Sequence, residues 1–307
     1  MVTRHTYASI DSLRDYLAGT SYSSNWTTDT AIIRRIVESA SKRIDNYVGM
    51  QSFGPRTETR FFDIGSGTLR STRQNIVPSY SDETIGNSSG YVNAIPLDAW
   101  LIETTTVTSY KATDRSASET LTEGYNADFW LKPYNSSPKV ELTLNEDTTK
   151  SFYGGQQTLS ILGTWGYSND TTPEKTTTGA IATETETAWG VNDASGLSSA
   201  QTILVGAEQM YITGISSNTL TVIRGVNGTT ASTHTAGASV YVYEYPELVS
   251  QICLDIAKVF FRDRDLGVIQ TIGGGDMQIT RSDKEIENNL RQLREYQSQG
   301  IGSGVFF

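Results

Sequence analysis

Cysteine, histidine and basic charge are all scarce in this 307-residue chain. A single cysteine, Cys253, excludes an intramolecular disulfide framework, and its place in an apolar helical run assigns it to a core. The two histidines, His5 and His234, stand far apart and give poor material for a metal centre or a Ser-His-Asp triad. Lys and Arg number 24 against 34 Asp and Glu, for a net charge of -10. That balance argues against a protein that grips a phosphate backbone by releasing its counterions. An acidic surface suits a path along which DNA passes without sticking. Nowhere do roughly eighteen apolar residues run together, and the opening MVTRHTYAS lacks the apolar core of a signal peptide, so a soluble, non-secreted product without a membrane role is expected. The sequons at Asn25 and Asn227 then read as turn chemistry.

What is present is β-rich. Charged residues make up only 19% of the chain and glycine is frequent, a composition suited to sheets, turns and interfaces rather than long solvated helices. Two modest domains fit the length. Near the start, Ile10, Leu13, Tyr16 and Leu17 follow helical spacing between a Ser9 cap and a Gly19 stop, which predicts a helix over 9–18. A second helix over 28–48 carries Ile32, Ile33, Ile36, Ala40, Ile44, Tyr47 and Val48 as one apolar stripe. From 53 to 167 short alternating segments such as TETRFFDI, STRQNIVP, ETTTVTSYKAT, DFWLKPY, KVELTLN and TLSILGTWGY predict an antiparallel sheet or small sandwich, with a loop over 79–94.

The stretch 163-GTWGYSNDTTPEK-175 ends on a Pro-Glu pair that announces a helix, yet TTTGAIATETETAWG follows. The helix comes only at 246-PELVSQICLDIAKVFF-261, again led by Pro-Glu. Residues 176–245 between them hold four strand candidates, ATETETAWGV, TILVGAEQMYITGI, NTLTVIRGV and ASVYVYEY, of which the second and third are expected to pair as a hairpin. They read as an all-β module inserted into a parent domain, with Pro173 as a false start. A last helix over 282–297 is expected, opened by a Ser282–Glu285 capping box.

The expected architecture is therefore α+β: a small helical bundle, with helices 9–18, 28–48, 246–264 and 282–297, packed on the antiparallel β-rich middle. Residues 1–175 plus 246–299 form the parent domain, 176–245 the inserted module, and 300–307 a flexible tail.

Catalytic patterns are weak. Glu184 and Glu186 read as a solvated strand face, and Asp263 and Asp265 with Arg262 and Arg264 as a surface ion cluster. Gly273, Gly274, Gly275 and Asp276 lack the Lys-Ser/Thr of a phosphate loop. No catalytic residue, cofactor site or metal site is assigned, and a non-enzymatic protein is expected. Aromatic residues at strand ends, Trp165 and Tyr167 above all, suit core packing or contact with an adjacent subunit. Trp130 and Trp189 are open to the same two readings.

The order of elements carries a resemblance. YASIDSLRDYL, then AIIRRIVESASKRIDNYVGMQSF, a strand-rich middle, LSILGTWGYS and PELVSQICLDIAKVFF together look like the head-to-tail connector (adaptor) proteins of long-tailed bacteriophages, over roughly residues 6–167 and 246–297. The run LVGAEQMYITGISSNTLTVIRGVNGTTASTHTAGASVYV is similar to small β-modules of phage virion proteins, through Glu208-Gln209-Met210 and Arg224-Gly225-Val226-Asn227-Gly228-Thr229.

This resemblance implies a virion protein of the neck, a homo-oligomeric ring of about a dozen copies assembled in the host bacterial cytoplasm. One face would bind the portal protein and the other a tail or neck protein. Genomic DNA would pass through the centre in transit, without sequence-specific binding. Gly300, Ile301, Val305, Phe306 and Phe307 of the tail are then expected to dock on the portal or a neighbour. Trp165, Tyr167, Ile252, Phe260, Leu290 and Leu293 are expected in subunit packing. The inserted module is expected on the outer rim. A glycan-binding or other tail or fibre module is the alternative.

Overall fold

The computed structural model describes residues 4–18, 30–49, 51–64, 94–111, 115–266 and 279–297. The predicted strand STRQNIVP, the loop over 79–94 apart from Ala94, the Gly273–Asp276 run and the tail 300–307 lie outside these residues. The fold is α+β, with antiparallel sheets and four α-helices among the described residues. The chain forms two compact units. Among the described residues, one comprises those within 55–168 and the other those within 4–54 and 169–297.

The first unit is a sheet of six strands: β1 (Arg56–Ile64), β2 (Ala94–Tyr110), β3 (Ser118–Leu121), β4 (Phe129–Lys132), β5 (Lys139–Leu144) and β6 (Gly155–Trp165). Their order is β1-β6-β2-β5-β4, with β3 also on β2. Alternation places Phe62, Val107, Phe129, Leu131, Leu142, Leu159 and Ile161 in one apolar core. The β6 strand runs centrally, and a Cβ at Gly163 would stand 2.4 Å from the Glu103 carbonyl oxygen. Only glycine lets the β2 backbone approach so closely. Strand β2 begins nine residues before the predicted Glu103 boundary, because AIPLDAWL interrupts strict alternation with a proline. Its pairing with β5 shifts register between Pro96 and Leu101.

The second unit joins helices to another six-stranded antiparallel sheet. Its strands are β7 (Thr171–Thr176), β8 (Ala188–Gly190), β9 (Thr202–Val205), β10 (Glu208–Ser216), β11 (Thr219–Ile223) and β12 (Ser239–Tyr243), in the order β7-β12-β9-β10-β11-β8. Its helices are α1 (Ile10–Leu17), α2 (Thr30–Tyr47), α3 (Glu247–Leu266) and α4 (Ile279–Arg291). The predicted pairing of NTLTVIRGV with the preceding segment is present as the β10–β11 hairpin, turned at Ser217 with φ 51°. The segment TILVGAEQMYITGI is itself folded back at Gly206, φ 60°, into β9 and β10.

Two expectations are corrected here, those for Glu184 with Glu186 and for Ser282, whereas Pro173 starts no helix, as expected. It lies in β7, at the edge of the sheet, opposite Tyr241 where the register shifts, a place where a missing N–H does little harm. Glu184 stands exposed in a turn rather than on a strand, and Glu186 accepts a hydrogen bond from the Ala182 amide (3.0 Å). Helix α4 begins at Ile279, so Ser282 lies inside its first turn instead of capping it.

The grouping of elements also differs from the expected one. The sheet spanning 171–243 shares its compact unit with the helices, while the β-rich middle forms the other unit. The reason lies in the chain before α1. The Arg4 amide donates to Asn227 Oδ1 (2.6 Å), and Asn227 Nδ2 donates to the Arg4 carbonyl (3.2 Å) and Gln209 Oε1 (2.7 Å). Thr6 and Thr202 hydroxyls close two further bonds, to the carbonyls of Ala200 and Arg4. The Ile10 amide donates to the Ser199 carbonyl at 3.2 Å. Backbone groups that would otherwise be unpaired are thus satisfied by the sheet, which makes the β-module a floor for the helices.

Candidate functional site

Helix α2 carries more apolar surface than its core face requires. Ile33, Val37, Ala40 and Ile44 are buried, and α2 packs along α3, whose Val249, Ile252, Cys253, Ile256 and Ala257 are buried too. The Ser41 hydroxyl donates to the Val37 carbonyl (2.9 Å), accepts from the Tyr7 amide (3.0 Å), and lies 3.3 Å from Cys253 Sγ. Burial pushes the Cys253 thiol up to about 12, so it stays protonated as a packed core group. Tyr7 completes this seam. Its buried hydroxyl donates to Asp45 and accepts from the Phe53 amide at 3.0 Å, and burial, then the Asp45 charge, raises its pKa far above the ordinary value.

Ile32, Arg35 and Ser39 follow helical spacing beside the buried face, and with Ile36, itself buried, and Phe260 of α3 they line an open depression of about 370 Å³. Ile32 and Phe260 are half-buried, and Arg35 is exposed at the edge. Farther along, Lys42 and Arg43 are exposed, Lys42 lying 3.9 Å from Asp45. Arg34, by contrast, is spent on the fold: it donates to the Thr213 carbonyl (2.8 Å) and sits 3.7 Å from Glu38. The depression is apolar and open, with Arg35 at its edge.

Of the residues expected in subunit packing, Phe260 belongs to this surface. Four others are occupied inside the subunit: Trp165, Ile252, Leu290 and Leu293 are buried. Trp165 Nε1 donates to the Glu58 carbonyl (3.1 Å), Phe62 stacks on its ring, and the Arg60 guanidinium lies 4.8 Å above it. These side chains have no surface left for a neighbour. Tyr167 packs edge-on against Trp100 (5.3 Å), where the Gly166 amide donates to the Trp100 carbonyl (2.9 Å), so the Gly-Tyr turn closes a corner on β2. Trp189 is core, whereas Trp130 is half-buried on the outer face of β4. Residues 300–307 lie outside the described ones.

No family model, curated protein or solved structure matches this chain.

The densest charge cluster is built from the motif quoted for the β-module. Glu208, with no exposed side-chain surface, accepts from Arg224 Nε (2.6 Å) and Nη2 (2.7 Å), from the Gly225 and Ser232 amides (3.0 and 3.1 Å), and from His234 Nε2 (2.8 Å). Arg224 also donates to the carbonyls of Thr183, Glu186 and Ser232. Burial alone would raise the Glu208 carboxyl. The bonds from Arg224, His234 and Ser232 outweigh it and hold the group below its ordinary value. Every partner is a fold element, so the cluster is a structural lock. Gly225 (φ 57°) turns the chain where a Cβ would approach the Ala231 amide to 3.1 Å. Among the described residues no group of three His, Cys, Asp or Glu side chains is arranged to hold a metal ion, and no helix is long and apolar enough to cross a membrane.

The sequence signal for the docking surface was the doublet Ile32-Ile33. Ile33 of that doublet is buried and Ile32 half-buried, at the edge of the face that α2 buries.

Proposed function

We propose that this chain is a structural, ring-forming adaptor of a phage neck, placed between portal and tail and lining a passage for DNA. The observation that carries the reading is the helical layer: α2 and α3, some 200 residues apart in the chain, pack along each other and present an apolar face with exposed Arg35 beside it. Its physical logic is that of a heterologous contact. A surface patch of one subunit meets a different patch of the next, and the rotation closes into a ring. The net charge of -10 per chain makes such subunits repel one another, so apolar burial must outweigh that repulsion, and assembly on a partner ring is favoured over free rings. Acidic side chains on the passage wall keep a sliding duplex from being trapped at any one phosphate.

The test is assembly itself. Introducing Ile32→Lys or Phe260→Lys adds a second positive charge to a patch edged by Arg35. The expected result is loss of higher-order species by mass photometry with an unchanged circular dichroism spectrum. Assembly at wild-type levels in both variants would remove the surface from the proposal.

A further inference from the structure

The outer face of the first sheet carries a second surface. Tyr125, Trp130 and Tyr134 form a continuous aromatic row, with centroids 6.3 and 5.9 Å apart and planes inclined at 68° and 82°. Tyr125 is 82% exposed and Tyr134 59%, among the most exposed large apolar side chains described. Large rings left in water at this level call for a ligand more than for a fold role, since neither phenol adds to the core.

The row is held still. Asn145 Nδ2 donates to the carbonyls of Gly124 (3.0 Å) and Ala127 (2.6 Å), and Asp128 accepts from the Thr122 amide (2.9 Å) and the Thr148 hydroxyl (2.7 Å), which fixes the loop bearing Tyr125. On the other side, Lys139 Nζ donates to the carbonyls of Pro133 (2.7 Å) and Tyr134 (3.2 Å). Trp130 sits on β4 opposite Thr143, and the next outward pair is Lys132 with Glu141, joined at 3.0 Å. Glu141 also accepts from the Thr143 hydroxyl at 2.7 Å. A preorganised surface loses little conformational entropy on binding.

We infer that the Tyr125–Trp130–Tyr134 row is a binding site for a neutral oligosaccharide. Three features select that ligand. The ring spacing is comparable to the advance of one hexose along an extended sugar chain, so successive C–H faces can stack on successive rings. The rings meet edge to face at 68° and 82°, so they do not offer the parallel faces between which flat bases stack. The flanking groups are polar: Lys132 is matched by Glu141, its Nζ also lying 5.9 Å from the Tyr134 ring, and Lys139 donates to two carbonyls, so sugar hydroxyls find both donors and acceptors. This inference does not rest on the ring-adaptor reading. A site of this kind on a neck protein would touch glycan at the outer surface, and its absence would leave the ring proposal intact.

The experiment titrates the full chain separately with cellohexaose, chitohexaose and mannohexaose, by isothermal calorimetry and tryptophan fluorescence. Saturable binding of at least one is expected, weakened at least tenfold by Trp130→Ala and by Tyr125→Ala, with sedimentation unchanged by either. Tyr125→Ala is the safeguard against misfolding, because that ring is too exposed to support the core. Absence of saturable binding by the wild-type chain overturns the inference, as does binding that both variants retain. Concentration-dependent self-association lost in Trp130→Ala would also overturn it, since the row would then be a protein contact.

Discussion

Removing Arg224 by Arg224→Ala tests the lock in the second unit. The substitution leaves Glu208, without exposed side-chain surface, stripped of its two shortest donors, and it frees three carbonyls, those of Thr183, Glu186 and Ser232. Breaking a buried ion pair from one side costs about 3–5 kcal/mol, because the remaining charge has no solvent to return to. The remaining bonds from Gly225, Ser232 and His234 blunt the loss, so about 3 kcal/mol, the lower end, is expected. Two compact units make a single global unfolding energy ill-defined. The suitable assay is peptide-resolved hydrogen exchange over β10 and β11. A loss of about 3 kcal/mol appears there as roughly a hundredfold fall in protection. The double variant Glu208→Gln with Arg224→Met, which removes both charges and keeps a side-chain acceptor beside the Gly225 and Ser232 amides, is expected to lose less than Arg224→Ala alone. A fall in protection below tenfold for Arg224→Ala, or a double variant worse than the single one, would refute the assignment of the cluster as the unit's lock.

Further outcomes follow from the same geometry. Because the folded Glu208 carboxyl is held below its ordinary 4.5, its contribution is complete above that value and is lost as pH falls through the lower folded value. Glu208→Gln should therefore lower stability at neutral pH and flatten the acid limb of a thermal-unfolding series taken below pH 4.5; an unchanged limb contradicts this. Tyr7→Phe deletes the bonds to Asp45 and the Phe53 amide and is expected to cost about 1–3 kcal/mol, read from hydrogen-exchange protection in α2. Gly163→Ala forces a Cβ against the Glu103 carbonyl and should cost at least about 1–3 kcal/mol, with exchange loosened first in β2 and β6.

The helices were legible because their signals are local. Ser9 accepts from the Ser12 amide at 3.0 Å as an N-cap should, and the stripes of α2 and α3 follow the helical period closely. The strands of the first sheet were legible by alternation except where Pro96 interrupts β2 and where β3, four residues long, is too short to show a period. What escaped was everything decided by long-range pairing. Pro173 resembles a helix start locally, and only its place beside β12 makes it an edge-strand residue. The union of the N-terminal segment with the β-module depends on Asn227 and Thr202, whose polar side chains reach across the fold to Arg4 and look like ordinary turn residues in sequence. The same holds for Glu208, Arg224 and His234. They were quoted as a motif, but only spatial convergence gives the carboxylate its five bonds. Trp165, Ile252, Leu290 and Leu293 were offered to neighbouring subunits because an apolar residue in sequence carries no mark of which core will claim it.

Electron microscopy of the full chain, alone and mixed with a candidate portal ring, tests the proposed assembly directly. Closed rings of the chain seated on the portal, with α2 and α3 at the contact between neighbouring copies, are the expected result. Isolated monomers beside bare portal rings would contradict it.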